Sequence, residues 1–125
     1  MPKRKRPASN RAREHRIDQE IVVDAYTSEE RAMGWYYYLE GKLRFPFSAK
    51  CVAERAVSPF KTGEKVDVLG MAPEEDCTGG MFVLVRFAGR GLGVPLAQLA
   101  PLGADGGTRE AIEDWRYWTA MGYEF

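Results

Sequence analysis

Residues 35–49 read WYYYLEGKLRFPFSA, and the hydrophobic periodicity of the chain changes within them. Trp35, Tyr36 and Leu39 recur, together with Ala32 before them, at the spacing of one helix face. Pro46 favours an extended conformation in the residue before it and cannot continue a helix, and apolar and polar residues alternate from Phe47 onward. The sequence therefore predicts a helix that ends near Gly41, followed by a region of strands.

The region after Pro46 is rich in short apolar runs that alternate with turn residues. These runs predict strands over residues 48–57, 65–71, 81–87, 92–96 and 99–102. Short strands that follow one another through turns pair antiparallel, whereas parallel strands need crossover helices between them. The pattern therefore favours a small antiparallel β-barrel over a parallel sheet.

Two helices are expected before the strands and one after them. Apolar residues recur at helical spacing from Ile17 and predict a short first helix. A second helix begins at a capping box, in which Thr27 accepts from the backbone of Glu30 and Glu30 reaches back. A third helix follows Thr108, a favourable N-cap residue, and runs to about Met121. Together the elements predict an α+β fold with two N-terminal helices and one C-terminal helix.

Basic residues are concentrated at the start of the chain, although the whole sequence has 18 basic and 18 acidic residues. Residues 1–16 hold seven Lys or Arg side chains and one acidic residue, and they show no periodic apolar pattern. Such a segment buries too little apolar surface to offset the entropy of ordering its backbone. We therefore expect a disordered basic tail over residues 1–16 and a single domain over residues 17–125.

The inventory of reactive residues argues against an enzyme. The single histidine, His15, lies in the basic tail, which disfavours a histidine-based triad and a zinc site of two cysteines and two histidines. Cys51 and Cys77 lie far apart and form no CxxC pair, which is typical of a protein in a reducing cytoplasm. No apolar run is long enough for a membrane span or a signal peptide, so no membrane association is expected.

Oxygen ligands are the chemistry that remains. Glu74, Glu75 and Asp76 stand together in the connection between two predicted strands, residues 72–80. Hard cations such as Ca²⁺ prefer six to eight oxygen ligands from flexible carboxylates, carbonyls and water. An acidic loop can equally well be a solvated surface loop, and the chain contains no EF-hand pattern.

Several motifs resemble one known family when they are taken in order. They are Trp35–Glu40 (WYYYLE), Phe45-Pro46-Phe47, Val94-Pro95-Leu96 and Asp114–Trp118 (DWRYW). This order is similar to that of the small calcium-binding proteins of the CcbP type, bacterial proteins first known in cyanobacteria. The resemblance implies an SH3-like barrel with helices, no EF-hand, and Ca²⁺ held by surface carboxylates and backbone oxygens.

The resemblance also selects candidate metal ligands. Glu74, Glu75 and Asp76 match the acidic connection of the family, and Glu40 of the WYYYLE motif is the fourth candidate. Two departures predict weak calcium affinity, because Gly41 and residues 106–107 are glycines where the family pattern has acidic residues.

Glu40 has a second interpretation besides ligation. It is an exposed helix residue four positions before Arg44, a spacing that allows a surface ion pair. An ion pair at this spacing would leave Glu40 with a structural role, so the two interpretations stand side by side.

The leading function is therefore that of a non-enzymatic calcium-binding protein of the cytoplasm, acting as a buffer or a sensor. Its rival is a module that binds a protein or a nucleic acid, with the basic tail supplying the affinity. Seven basic residues in sixteen can contact several phosphates, with a steep dependence on salt. The rest of the chain is acidic and would repel a nucleic-acid backbone.

Overall fold

The computed structural model describes residues 7–125 and shows an α+β fold. Within these residues the helices are α1 (Arg11–Arg16), α2 (Ser28–Lys42) and α3 (Gly106–Ala120), with a π-helical turn at Ile17–Ile21 and 3₁₀ turns at Glu74–Cys77 and Leu96–Gln98. The strands are β1 (Phe47–Cys51), β2 (Lys65–Met71), β3 (Phe82–Phe87), β4 (Arg90–Pro95) and β5 (Leu99–Leu102). No helix in this part of the chain is both long and apolar enough to cross a membrane.

The five strands form one antiparallel sheet in the order β4-β3-β2-β1-β5. Strand β2 is the middle strand, and β1 pairs with β2 on one side and with β5 on the other. The predicted antiparallel sheet is confirmed. Among the described strands, β4 and β5 each pair on one side, so the predicted closure into a barrel is not confirmed.

A cluster of tryptophans joins helix α2 to helix α3. Trp35 of α2 is fully buried, and its ring lies 5.0 Å from that of Trp115 on α3, in an edge-to-face contact. Trp118 extends the cluster, with its ring 5.5 Å from Trp35. Aromatic pairs in such geometry stabilise a core beyond the area that they bury. The aromatic residues of α2 and α3 are therefore mainly core residues.

The sequence predicted α2 closely and α3 less closely. The Thr27 hydroxyl accepts from the backbone of Glu30 at 3.1 Å, as a helix that starts at Ser28 requires. The N-cap of α3 is Asp105, whose carboxylate accepts from the backbone of Thr108 at 2.7 Å. The prediction of Thr108 as the cap was wrong, because the buried Thr108 hydroxyl accepts from the backbone of Arg44 instead.

The prediction of a disordered basic tail was wrong for residues 11–16, which form helix α1. This helix has no buried residue of its own, and the nearest core residue is Ile17 directly after it, so its own side chains do not hold it by apolar burial. Arg13 and Arg16 instead bond Asp114 of α3, at 2.8 Å and 2.7 Å. Charge pairing therefore orders a segment that apolar periodicity does not predict. Residues 1–6 of the expected tail lie outside the described residues.

Candidate functional site

The acidic connection between β2 and β3 folds as a short 3₁₀ turn, Glu74–Cys77. The backbone of Asp76 donates to the carbonyl of Pro73 at 2.9 Å, and the backbone of Ala72 donates to the carbonyl of Phe82 at 3.0 Å. The first bond sets the turn, and the second closes the base of the loop. Glu74, Glu75 and Asp76, which we call the acidic turn, are all exposed.

Cys77 anchors the far end of the acidic turn. Its side chain is buried, and its sulfur accepts from the backbone of Phe82 at 3.4 Å. Burial is the main reason why the pKa of the Cys77 thiol is raised, and the nearby charge of Asp76 raises it further. Cys77 is therefore a structural thiol that fixes the C-terminal end of the acidic turn to the core.

Helix α2 contacts the acidic turn through two tyrosine hydroxyls. The buried Tyr36 hydroxyl donates to the carbonyl of Ala72 at 2.8 Å. The Tyr37 hydroxyl donates to Oε2 of Glu74 at 3.1 Å. Glu40 lies one helical turn beyond these tyrosines and is exposed. The C-terminal half of α2 and the acidic turn thus form one continuous surface.

Glu40 and the acids of the turn both act on the two tyrosines that contact the turn. Burial raises the pKa of Tyr36, and the negative charges of Glu40, Glu74 and Glu75 raise it further. The hydrogen bond to Glu74 is the main cause of the raised pKa of Tyr37, and Glu40 contributes to it as well. Both phenols therefore lie in a field built by α2 and the turn together.

The four predicted ligands have no basic partner among the described residues. No Lys or Arg in this part of the chain lies within 4.0 Å of the carboxylates of the acidic turn or of Glu40. Arg44 pairs instead with Asp105 at 3.5 Å, so the alternative of a Glu40–Arg44 ion pair is not realised. The reason is local, since Leu43 is already extended and Arg44 has left the helix.

The donor chemistry of this surface fits a hard cation, since it offers carboxylates beside the backbone carbonyls of a loop. The geometry is less complete. Within residues 7–125 no three Asp, Glu, His or Cys side chains come together closely enough to hold a metal ion. Binding would therefore require these exposed side chains to rotate inward and water to complete the coordination shell.

Asp114 forms a second carboxylate site that the sequence patterns did not indicate. It is fully buried and accepts from Arg13, Arg16 and the Tyr38 hydroxyl, which is 3.1 Å away. Hydrogen bonding to Asp114 raises the pKa of Arg16 further above its ordinary value. We call these four residues the Asp114 site. The spacing of three between Arg13 and Arg16, which places both on one helix face, was the available signal.

The glycines at 106–107 open helix α3 directly after its cap. The carboxylate of Asp105, the nearest acidic residue, caps the helix and also pairs with Arg44. The backbone hydrogen bond from Thr108 is the main reason why the pKa of Asp105 is lowered. The Asp105 carboxylate at this end of α3 is therefore already engaged in contacts within the protein.

The structure is that of a small α+β protein whose exposed acidic turn offers oxygen donors of the kind that a hard cation prefers. A family model for CcbP, described as calcium binding, matches residues 15–119. The chain therefore belongs to the CcbP family of calcium-binding proteins, as its motifs predicted.

Two solved structures are similar to the chain over nearly its whole length. The crystal structure of Anabaena CcbP is 43% identical, with a TM-score of 0.84, and the match covers 95% of this chain and 98% of that one. A calcium binding protein in its calcium-binding form is 44% identical, with a TM-score of 0.80 and coverage of 93% and 95%. A comparison with curated proteins found no match.

Proposed function

We propose that the protein binds Ca²⁺ through the surface formed by the acidic turn and Glu40. The observation that carries this proposal is a group of exposed carboxylates without a basic partner among the described residues, in a chain of a calcium-binding family. Carboxylates that repel one another in water gain most when a divalent cation joins them. A relative that is 44% identical and is described in a calcium-binding form supports the choice of cation.

Each candidate ligand has a distinct role in this proposal. Glu75 and Asp76 supply the principal charge, because no hydrogen bond of their side chains within residues 7–125 uses them for another purpose. Glu74 adds an oxygen from the start of the turn, and Glu40 adds one from α2. Loop carbonyls and water complete the shell, as is usual for Ca²⁺. Gly41 contributes no carboxylate, which together with the open geometry makes the affinity weak.

We further infer a non-enzymatic role as a calcium buffer or sensor in the cytoplasm. Both cysteines are free and buried, which suits a reducing compartment. The strand order and the 3₁₀ turn before β5 support an SH3-like arrangement of the sheet.

The rival function, binding of a protein or nucleic acid through the basic tail, is weakened by the internal use of two arginines. Arg13 and Arg16 pair with Asp114 and are not available for phosphate contacts without breaking the Asp114 site. Fewer free basic residues mean fewer released counterions and a weaker electrostatic term.

Calorimetric titration of the full chain with Ca²⁺ tests the proposal. A saturable heat with a dissociation constant on the order of 10⁻⁴ to 10⁻³ M is expected, as for other weak calcium modules. Mg²⁺ should compete poorly, because it prefers a rigid octahedral shell and keeps its waters. Absence of heat at millimolar Ca²⁺ would contradict the proposal. The chain would then share the fold of the calcium-binding relatives without binding calcium itself.

A further inference from the structure

Two neighbouring tyrosines of α2 connect the helix to the acidic turn at different depths. Tyr36 is 8% exposed and bonds the backbone at Ala72, before the turn begins. Tyr37 is 50% exposed and bonds the side chain of Glu74, the first carboxylate of the turn. Their rings pack edge to face with centroids 5.7 Å apart. The buried tyrosine thus supports the exposed one from below.

The bond from Tyr37 to Glu74 joins two elements, because its residues lie 37 positions apart in the sequence. A carboxylate has two oxygens and about four lone-pair directions, so one hydrogen bond leaves ample capacity for a cation. Tyr37 uses Oε2 of Glu74, and no hydrogen bond within the described residues uses Oε1. The hydroxyl therefore restricts the rotation of Glu74 without occupying it.

We propose that Tyr37 is a positioning residue of the calcium site, which holds the Glu74 carboxylate beside the end of α2 where Glu40 lies. This inference rests on the proposed function. Hydrogen-bond partners of metal-ligating carboxylates reduce the ordering cost of binding, and their loss typically costs 10- to 100-fold in metal affinity. Tyr37 contacts the ligand and not the metal, so it acts through Glu74.

The first test compares Tyr37→Phe with Tyr26→Phe in the full chain by calcium calorimetry. Tyr26 is a matched control, because it is 80% exposed and its hydroxyl contacts a different carboxylate, that of Asp24, at 3.4 Å. Tyr37→Phe should weaken calcium binding by about tenfold, the low end of the range for such partners, since the bond is exposed to water. Tyr26→Phe should bind like the parent, and both variants should melt like it.

A double-mutant cycle with Glu74→Ala separates positioning from a general structural effect. If Tyr37 acts through Glu74, then Tyr37→Phe should cost calcium affinity in the parent but nothing further once Glu74 is alanine. An equal loss in both backgrounds would overturn the positioning role, because the hydroxyl would then act by another route.

The remaining outcomes distinguish this inference from the proposed function. If the parent binds calcium and neutralising Glu75 and Asp76 abolishes binding, but Tyr37→Phe binds like the parent, the positioning role is overturned and the proposed function stands. If the parent binds no calcium, both are overturned.

Discussion

The Asp114 site and the acidic turn are both built on carboxylates, and they differ in what surrounds those carboxylates. Asp114 is fully buried and receives two arginines and a tyrosine hydroxyl from elements distant in the sequence. The acidic turn is exposed and carries three adjacent acids that no basic side chain of the described residues reaches. One carboxylate is neutralised internally, whereas the others are left to solvent.

This difference indicates which acids are available to a cation. A buried carboxylate without a partner would pay a large desolvation cost, so Asp114 persists only because arginines accompany it. The acids of the turn pay no such cost, but their like charges repel one another. The pairing state of a carboxylate, rather than the local number of acids, therefore separates a structural site from a candidate metal site.

The largest effect is expected when the Asp114 site is broken. Asp114→Asn removes the buried negative charge and leaves Arg13 and Arg16 only the exposed carboxylates of Glu113 and Glu110 as counter-charges, at 3.7 Å and 3.6 Å. Breaking one partner of a buried ion pair costs roughly 3 to 5 kcal/mol, and we expect about 3 kcal/mol here because the arginines remain about 20% exposed. Urea denaturation measures the loss. Calcium affinity should not change, and a coupled loss of calcium binding would contradict the separation of the two sites.

Removal of residues 1–16 takes the arginines, rather than the carboxylate, out of the Asp114 site. The shortened chain should be destabilised by a similar amount, about 3 kcal/mol, because Asp114 becomes a buried charge without arginine partners. In that background Asp114→Asn should cost little stability or should stabilise the fold, since it removes the unpaired charge.

Limited trypsin digestion of the full chain should spare Arg13 and Arg16. Rapid cleavage at both residues would show that α1 does not pack on α3.

A smaller effect, on binding alone, is expected at the acidic turn. Replacing Glu75 by Gln and Asp76 by Asn keeps polar oxygens but removes two charges from a divalent site, so calcium affinity should fall at least tenfold, about 1.4 kcal/mol. The fold should lose less than about 0.5 kcal/mol, as is usual for exposed positions.

Two comparison variants locate this effect. Glu29→Gln combined with Glu30→Gln removes the same charge from the opposite end of α2 and should leave affinity nearly unchanged. Glu40→Gln alone tests the contribution of the helix. If Glu40→Gln abolishes binding while the double variant of the turn binds like the parent, the principal ligands lie at the helix end instead.

The smallest effect concerns Asp105, which is exposed like the acidic turn but used internally like Asp114. Its pKa is lowered below the ordinary value of 3.8, chiefly by the backbone hydrogen bond from Thr108. A lowered pKa in the folded state contributes stability above the unfolded value, and this stability is lost as the pH falls through the folded value. Asp105→Asn keeps a capping oxygen without titrating. The parent should therefore be more stable at neutral pH, and the difference should fade below about pH 4.

The comparison also explains which features the sequence predicted. The helix face of Trp35, the Thr27 cap and the strand at residues 65–71 follow from local periodicity and chemistry, and the structure contains all three. The bonds of Arg13 and Arg16 to Asp114 span about 100 positions, at separations of 101 and 98. Local patterns carry no information on contacts of that range, and so helix α1 was missed.

The candidate site was predictable in part for the same reason. The three acids of the turn are adjacent in the chain, so the sequence alone identified them as candidate ligands. The roles of Tyr36 and Tyr37 depend on how α2 lies against the turn, which periodicity does not specify. The sequence could not decide between ligation and an ion pair for Glu40. The structure excludes the ion pair with Arg44, because α2 ends at Lys42 and Arg44 pairs with Asp105.

The most direct test of the account is to map backbone amide shifts by NMR during a calcium titration of the full chain. Saturable changes in chemical shift are predicted at residues 37–41 and 72–80, which include both halves of the proposed site. The chemical shifts of amides near Asp114 should not change. Shifts concentrated at residues 105–114, or no shifts at millimolar Ca²⁺, would contradict the claim that the unpaired carboxylates bind the cation.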